Sequence, residues 1–480
     1  MRKSVLCLAY YFPPDATSGT HRTRALVRHL PAWGWRSIVV TADKESSMVA
    51  DPALLHGLPS DLVVYRTPAP YLSARCRRLW SMVQNFPRRV RGGTPEIDSM
   101  ASAASRTSSD RGWVDWFSRW LQVPDMAIGW LPWGLRATIK AIGRHNCAAI
   151  YSSAPCWTTH LIALLAKRLT GLPWVADFRD PWRGTPMRRD IPYASIDRVD
   201  AWLESQVVRG ADYVICNTEP ARRDFMSRFP QRKGRFVTVP NGFDPEDFID
   251  LMPRRTVDEK SFVLTHAGNF YATRRPEPLF KAVRMLQDRG ELGRPICLQL
   301  LGQRDFEGEP LDQLAGQYGI GSSVRLLGQV AHRKALEYML GSDVLLAVGL
   351  CGGIVEPQVP GKLYEYFGVG KPVVAIAARD GAIADIMTRA GLADQVGDPD
   401  HPETIADILF RIASDRREDS LVPADPAGTL RQFHRRYQVG RIAALLGARY
   451  SGDKRFPQTS PRPVAVPSSC GLFERPQDPV

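Results

Sequence analysis

Short apolar runs alternate with amphipathic segments of helical period along most of this chain, and this alternation limits the possible folds more than any other feature. A second series of the same kind begins at Phe262–Ala267 and continues past Pro402. Strands separated by helices of about 10–15 residues indicate βαβ units, and consecutive units build a parallel sheet. The sequence therefore predicts an α/β fold with two Rossmann-like parallel-sheet domains that face a cleft. In the first series, strands are predicted at Ser4–Tyr11, Ser37–Thr41, Ala148–Ser152, Trp174–Asp177, Tyr213–Asn217 and Phe236–Val239. Helices are predicted at Gly19–Trp33, Thr158–Thr170 and Ile196–Arg209.

The boundary between the two domains is predicted after the Asn241-Gly242 turn, in the stretch Asp244–Lys260, which lacks a clear apolar period. We assign residues 1–243 to the first domain, with a basic and flexible insertion at about 71–112, and residues 258–430 to the second. Residues 431–450 are predicted to form a helix that returns to the first domain. The remainder, 451–480, is rich in Pro, Ser and Gln and is predicted to be a disordered tail.

The chain is basic, with a formal net charge of +13 and a pI near 9.5 over 480 residues. An excess of Lys and Arg attracts anions, but charge alone does not choose among nucleic acid, acidic lipid and phosphorylated small molecules. The segment Tyr71–Arg91 mixes arginines with Leu, Trp and Phe, which is typical of a helix at a membrane surface. An arginine-rich helix packed on its own domain is the other interpretation, and both stay open.

The compartment is predicted from the cysteines and the apolar runs. Eight cysteines are scattered singly, with no C-x-x-C pair, which argues against disulfides and a zinc site and for a reducing compartment. The run Val5–Phe12 leads into Pro13-Pro14 and is interpreted as a buried strand rather than a signal peptide. No apolar stretch reaches the ~20 residues of a spanning helix. We expect a cytoplasmic protein that touches the inner membrane peripherally through Tyr71–Arg91.

One candidate motif runs from Pro360 to Pro372 and is predicted to be a loop, a short helix, a glycine stop and a strand. Lys362 and Glu365 are three residues apart and therefore share one face of the helix. A lysine in the first helical turn opposes the helix dipole unless an anion such as a diphosphate occupies that end. Glu365 could then accept hydrogen bonds from vicinal ribose hydroxyls. The alternative is a solvated Lys–Glu pair.

A second candidate motif, His266–Pro276, follows the first strand of the second domain. Gly268 permits close approach of the backbone to a ligand. Arg274 and Arg275 precede a helix and could bind phosphate oxygens bidentately. The alternative is a loop with two exposed arginines.

Together these motifs resemble the family 4 glycosyltransferases of the two-domain GT-B type, in a bacterial branch with a DFRDPW motif, and the resemblance covers most of the chain. Further stretches match that branch in the expected order: Tyr10–Pro14 with Ser18-Gly19, Ser152–Pro155, Asp177–Trp182, Asn217–Glu219 and Val239–Asp244. The resemblance implies a donor site for a nucleotide diphosphate sugar in the second domain, and retention of the anomeric configuration on transfer to a hydroxyl acceptor.

The donor residues carried over by position share the edge where the second-domain strands end. Arg274 resembles the arginine that binds the diphosphate, Lys362 lies near a second basic contact, and Glu365 resembles the ribose-binding glutamate. Glu356 is followed by eight residues before Glu365, one more than the family spacing, which places its role at the donor sugar in doubt. The full donor set is Gly268, Asn269, Arg274, Leu327, Gly328, Gln329, Val330, Glu356, Lys362, Leu363 and Glu365.

The acceptor is expected in the first domain near Ser18, Gly19, His21 and Asp177, with Arg179 and Asp180 as positioning groups. Arg274, Lys362, Asp180 and Arg179 form the predicted catalytic set, with no base, cofactor or metal ion. The alternative for Asp177 and Asp180 is a structural salt bridge with Arg179 or Arg183. Asp398-Pro399-Asp400 fits a manganese pattern, but it directly precedes a predicted helix start, so we interpret it as a cap.

The predicted function is a hexosyltransferase in cell-surface polysaccharide or glycolipid synthesis, with a lipid-linked acceptor and without nucleic acid as a partner. Two rival functions remain. A nucleotide-sugar epimerase of similar architecture would need acidic groups at the sugar ring and no acceptor. A non-catalytic basic binding protein would keep the fold without the chemistry.

Overall fold

The structure is a computed structural model, and it describes residues 2–43, 50–72, 116–117, 119–183, 193–290, 292–352, 357–414 and 428–448. The predictions for Glu356, for most of Tyr71–Arg91 and for the tail from 451 lie outside these residues. Within them, no helix has the length and apolar character needed to cross a bilayer.

The first domain is built on a seven-stranded parallel sheet with strand order β3-β2-β1-β4-β5-β6-β7. Its central strands are buried along almost their whole length, as expected for a parallel sheet covered by helices on both faces. The sequence did not predict β3, which lies at the sheet edge and whose residues are half-buried or exposed. The strands are β1 Lys3–Ala9, β2 Trp35–Asp43, β3 Val63–Pro68, β4 Cys147–Ala154, β5 Trp174–Phe178, β6 Tyr213–Cys216 and β7 Phe236–Thr238.

Helices cover both faces of this sheet. The predicted helix Thr158–Thr170 is found with those bounds, and Gly171 in a left-handed conformation ends it. The helix Leu131–His145 and the helix after β6 were not predicted. The first-domain α-helices are α1 Ser18–His29, α2 Leu131–His145, α3 Thr158–Thr170, α4 Ala194–Gly210 and α5 Glu219–Arg228, and short 3-10 helices cover Leu30–Trp33, Pro52–Leu55, Met126–Trp130, Pro230–Arg235 and Pro245–Phe248.

The second domain contains a six-stranded parallel sheet with strand order β12-β9-β8-β13-β14-β15, and a small antiparallel pair, β10-β11. Its strands are β8 Phe262–Ala267, β9 Ile296–Leu301, β10 Asp305–Phe306, β11 Glu309–Pro310, β12 Val324–Leu326, β13 Val344–Val348, β14 Val373–Ile376 and β15 Val396–Gly397. Its helices are α6 Glu277–Asp288, α7 Leu311–Gln317, α8 His332–Leu340, α9 Gly361–Val369, α10 Ala382–Arg389 and α11 Pro402–Ser414, with 3-10 turns at Gly321–Ser323, Ala393–Gln395 and Leu430–Phe433. The predicted fold of two parallel-sheet domains is confirmed.

The last described helix, α12 Arg435–Ala448, packs against α1 of the first domain. Val439, Ile442 and Leu445 are buried in the same apolar cluster as Val5 and Leu26. The final helix therefore completes the core of the domain with which the chain begins.

The two segments that connect the domains run side by side. The Phe243 N–H donates to the Phe433 carbonyl at 3.0 Å, and the Arg435 N–H donates to the Phe243 carbonyl at 2.9 Å. A Cβ atom at Gly242 would lie 2.0 Å from the Phe433 oxygen, so only glycine allows this approach. The chain therefore passes between the domains through two adjacent segments that are hydrogen-bonded to each other.

Candidate functional site

The N-terminal turn of α9 presents a carboxylate with a basic group on each oxygen. Lys362 Nζ lies 2.6 Å from Glu365 Oε2, and His332 Nε2 lies 3.2 Å from Glu365 Oε1. The predicted alternative, a Lys–Glu pair, is thus formed, but it is not a solvated surface pair, because only 13% of the Glu365 side chain is exposed. An ionised carboxylate has about four acceptor positions, so Glu365 keeps capacity for two more donors, such as vicinal hydroxyls.

The charges around Glu365 keep it ionised. Burial alone would raise its pKa, but the Lys362 ammonium and the His332 ring together hold the pKa well below its usual range. A third of the Lys362 side chain is exposed, and its ammonium carries three donors. The helix end therefore combines a fixed anion that can accept hydrogen bonds from hydroxyl groups with a cation that can bind phosphate.

The loops that follow β8, β9 and β12 approach one another closely through their main chains. The Gly302 N–H, just after β9, donates to the Gly328 carbonyl after β12 at 3.1 Å, and the Gly268 N–H donates to the Leu301 carbonyl at 2.8 Å. A Cβ at Gly302 would lie 2.3 Å from the Gly268 oxygen. Asn269 Oδ1 accepts from the Gln303 N–H at 2.9 Å, so its side chain holds this loop.

Arg274 lies on the loop that follows β8. Its guanidinium is 5.1 Å from the centre of the Tyr271 ring, and its Nη1 donates to the Tyr271 hydroxyl at 3.0 Å. The Thr273 carbonyl accepts from the Cys351 N–H at 2.8 Å, which ties this loop to the segment after β13. Because β8 and β13 are neighbours in the sheet, the Arg274 loop and the approach to α9 share one edge.

Other predicted donor residues occupy different environments. Leu363 is fully buried in the core, and its N–H donates to the Pro360 carbonyl. The Leu327 N–H donates a hydrogen bond to the Leu300 carbonyl. The Gln329 side chain is exposed, and Val330 is half-buried and packs against the core.

The first domain faces α9 and α8 with the N-terminal part of α1. The ring of His21 lies 5.6 Å from the ring of His332, centre to centre. Burial, with the nearby Arg435 and His332, lowers the pKa of His21 to about 3, so the ring is neutral there at ordinary pH. Ser18 is the first residue of α1, and the Gly19 carbonyl accepts a hydrogen bond from Arg179 Nη1 at 2.9 Å.

Asp177 is a structural residue rather than an acceptor ligand. It is completely buried at the end of β5, and Arg22 binds both of its oxygens at 2.6 and 3.1 Å. The Tyr151 hydroxyl also donates to this carboxylate. The structural salt bridge that was the alternative for Asp177 is therefore present, but its partner is Arg22 rather than Arg179 or Arg183. Arg183 instead lies 2.9 Å from Asp197.

Arg179 and Asp180 have different surroundings. The Arg179 guanidinium donates to the main-chain carbonyls of Ala154 and Gly19, which joins β4 to α1. Asp180 Oδ1 accepts from Gln358 Nε2 of the second domain at 3.0 Å, and burial raises the pKa of this carboxyl. The Thr218 hydroxyl donates to the Pro357 carbonyl at 2.6 Å. The stretch before α9 is therefore bound to the strand ends of the first domain.

Asp398 has a local role. Its Oδ1 accepts from the Asp400 N–H at 2.9 Å, and its own N–H donates to Thr404 Oγ1, in the turn that leads into α11. His29, Asp244 and Glu246 are near enough to share a metal ion. In that group, His29 lies 2.6 Å and Arg435 lies 3.6 Å from Asp244, an arrangement that an ion pair explains.

Three residues of the cleft were missed by the sequence reasoning: Arg22, His332 and Gln358. His332 and Gln358 are single polar residues near predicted motifs, and nothing in their spacing marks them. Arg22 follows His21 by one residue, and a charged residue on a helix that packs against the buried end of β5 was the available signal.

Both domains match models of known protein families. A model described as Glycosyltransferase Family 4 matches residues 92–247, and one described as Glycosyl transferases group 1 matches residues 261–415. Each of the two domains is thus similar to a glycosyltransferase family model. The D-inositol 3-phosphate glycosyltransferase of a Nocardioides species is 26% identical over 254 residues, which are 48% of this chain and 51% of that protein. The corresponding protein of Geodermatophilus obscurus is 28% identical over 213 residues, 40% of this chain and 47% of its own. The chain thus spans about half the length of these curated relatives.

Solved structures show the same architecture as these two domains. A glycosyltransferase from Rickettsia africae has a TM-score of 0.59 at 12% identity, with 94% of this chain and 100% of that chain covered. Anabaena HepE in complex with UDP has a TM-score of 0.56 at 15% identity, covering 93% of this chain and 100% of that one. At these identities the likeness establishes the fold, and the predicted GT-B architecture is confirmed.

Proposed function

We propose that this chain is a retaining glycosyltransferase that moves a sugar from a nucleoside diphosphate donor to a hydroxyl acceptor. The observation that carries the proposal is the arrangement at α9, where Glu365 is held between Lys362 and His332 opposite His21 of the other domain. A carboxylate with spare acceptor positions suits the ribose, and the adjacent ammonium suits the diphosphate.

The proposed reaction exchanges one bond at the anomeric carbon for another. The bond from that carbon to the diphosphate oxygen breaks, and a bond to the acceptor oxygen forms on the same face, which retains the configuration. The acceptor proton passes to the departing diphosphate. Fixed cations stabilise the negative charge that develops on the leaving group, and Lys362 and Arg274 are assigned this role.

The names of related proteins support the nucleotide part of the proposal. HepE of Anabaena has been solved with UDP and with UDP-glucose, the latter at a TM-score of 0.54. The matched relatives are named as transferases, which favours transfer over epimerisation. Incubation with donor alone separates the two functions, because an epimerase would convert the sugar without an acceptor.

We further propose a lipid-linked acceptor, as in polysaccharide or glycolipid synthesis, because α2 carries a surface suited to a membrane. Trp133, Arg136, Lys140 and Arg144 are exposed and lie within about 80° around the helix axis, at 100° per residue. In the described part of the chain, none of these three cations forms an ion pair with an acidic side chain. Exposed aromatic and cationic groups on one face suit an anionic lipid surface.

The site assignment is tested by variants with matched controls. Lys362→Ala and Arg274→Ala should each reduce turnover about 10²–10³-fold, as expected for loss of a group that stabilises developing charge. Lys334→Ala on α8 and Lys281→Ala on α6, which change exposed residues, should leave it almost unchanged. The donor is first identified by thermal shift with a panel of UDP- and GDP-sugars. Ordinary turnover in both site variants, with melting temperatures unchanged, would refute the assignment.

A further inference from the structure

His332 is the first residue of α8 and was not part of the predicted site. Its Nε2 lies 3.2 Å from Glu365 Oε1, on the oxygen that Lys362 does not contact. Its ring also lies 5.6 Å from the ring of His21, which belongs to α1 of the other domain. His332 thus stands between the carboxylate assigned to the ribose and the first domain.

The surrounding packing fixes His332 relative to Glu365. Helix α8 buries Ala335, Leu336 and Met339 in the same cluster that contains Leu363 and Phe367 of α9. Two helices that share one apolar core keep a constant spacing, because protein interiors are close-packed. The short contact between the His332 ring and the Glu365 carboxylate is therefore a property of the second domain, independent of the position of the first.

Basic residues surround this contact, and the His21 ring among them is neutral at ordinary pH because its pKa is lowered. Lys362 lies on α9, Arg435 reaches the cluster from the start of α12, and the two histidines face each other from α1 and α8. Only 29% of the His332 side chain is exposed. A single carboxylate that holds two basic groups has a restricted orientation, and this is what recognition of a pair of vicinal hydroxyls requires.

We propose that His332 is a positioning residue, which orients the Glu365 carboxylate for the ribose hydroxyls of the donor and couples nucleoside binding to the domain contact at His21. This inference rests on the proposed function. If His332 only stabilised the start of α8, its loss would lower the melting temperature and would not depend on the ribose.

The experiment compares UDP with its 2′,3′-dideoxy analogue by calorimetry. Wild type should bind UDP more tightly than the analogue. His332→Ala should weaken UDP binding about 10-fold or more, because it removes one of the two basic groups that orient the Glu365 carboxylate, while it leaves binding of the analogue almost unchanged. His332→Gln, whose amide nitrogen can replace Nε2, should recover most of the discrimination. Arg333→Ala, the next residue and an exposed one, is the matched control.

The coupling to the other domain is tested by a double-mutant cycle. His21→Ala and His332→Ala together should depart from additivity in UDP affinity by about threefold or more, since contacting residues are energetically coupled. If the effects of the two substitutions on UDP affinity are additive, His21 and His332 are not coupled, and the coupling between domains is refuted. Equal losses for UDP and the analogue in His332→Ala, or no loss at all, would overturn the positioning role. A wild-type chain that binds none of UDP, GDP and ADP would instead overturn the proposed function itself.

Discussion

Substitution of Arg22 by methionine should destabilise the first domain more than any loss of a surface charge. Arg22 is 9% exposed and binds both oxygens of Asp177, which is fully buried. It also donates to the Val239 and Pro240 carbonyls at 2.9 Å each and to Asn241 Oδ1 at 3.2 Å. One guanidinium therefore joins α1, β5 and the start of the crossing between the domains.

The magnitude follows from the charge that the substitution leaves behind. Arg22→Met keeps the apolar stem but leaves the Asp177 carboxylate buried without its cation, and removal of one partner of a buried pair costs about 3–5 kcal/mol. For a domain of this size, each kcal/mol lowers the melting temperature by about 2–4 °C, so a fall of about 6–20 °C is expected.

Differential scanning calorimetry of the full chain measures this fall in the transition of the first domain. Arg28→Met, on the same helix, is the matched control: its partner Glu246 is 3.1 Å away and 47% exposed, so about 1 kcal/mol or less should be lost. Addition of Asp177→Asn to Arg22→Met should restore part of the stability, because it removes the unpaired charge. A melting temperature for Arg22→Met no lower than that of Arg28→Met would refute the reasoning.

Two further predictions concern pH and membranes. Burial lowers the pKa of His160 to about 3 and that of His266 to about 4, whereas the unfolded chain protonates these rings near 6.5, so the free energy of unfolding should fall as the pH drops below about 6.5. In denaturant unfolding from pH 7.5 to 4.5, His160→Gln should reduce that dependence while the exposed His401→Gln should not; identical slopes in wild type and His160→Gln would contradict this. Reversal of Arg136, Lys140 and Arg144 to Glu should weaken binding to phosphatidylglycerol vesicles about 100-fold, at about 1 kcal/mol per cation near the surface. The same reversal at Lys281 and Arg284 of α6 and at Arg289, directly after it, is the control. Vesicle binding that is absent in wild type or equal in both triple variants would count against the membrane surface.

The periodicity of the sequence predicted most of the fold because buried parallel strands and the helices that cover them have strong local patterns. Helix α3 was predicted with its observed bounds, and most other elements differ at their ends by one or two residues. Strand β3 was missed because it lies at the edge of the sheet, where its side chains are only half-buried or exposed. Its apolar pattern is therefore weak.

The site was less predictable because its residues meet through tertiary contacts. Glu365 and Lys362 share a helical turn, so their spacing could be recognised. The partners of Asp177 and Glu365 could not be found in this way. Arg22 is 155 residues from Asp177, and His332 is 33 residues before Glu365. Leu363 lies in the same recognised motif, and its side chain belongs to the core.

The return of α12 to the first domain has a consequence for the order of assembly during synthesis. The second domain is continuous in sequence, so it can fold as soon as its own residues leave the ribosome. The first domain must wait for Val439, Ile442 and Leu445, which fill its core from the far end of the chain. Until they arrive, the underside of α1 stays uncovered, and we expect the earlier-made domain to be the later one to reach its native state. A released chain truncated before residue 435 would therefore hold a finished second domain beside an incomplete first domain.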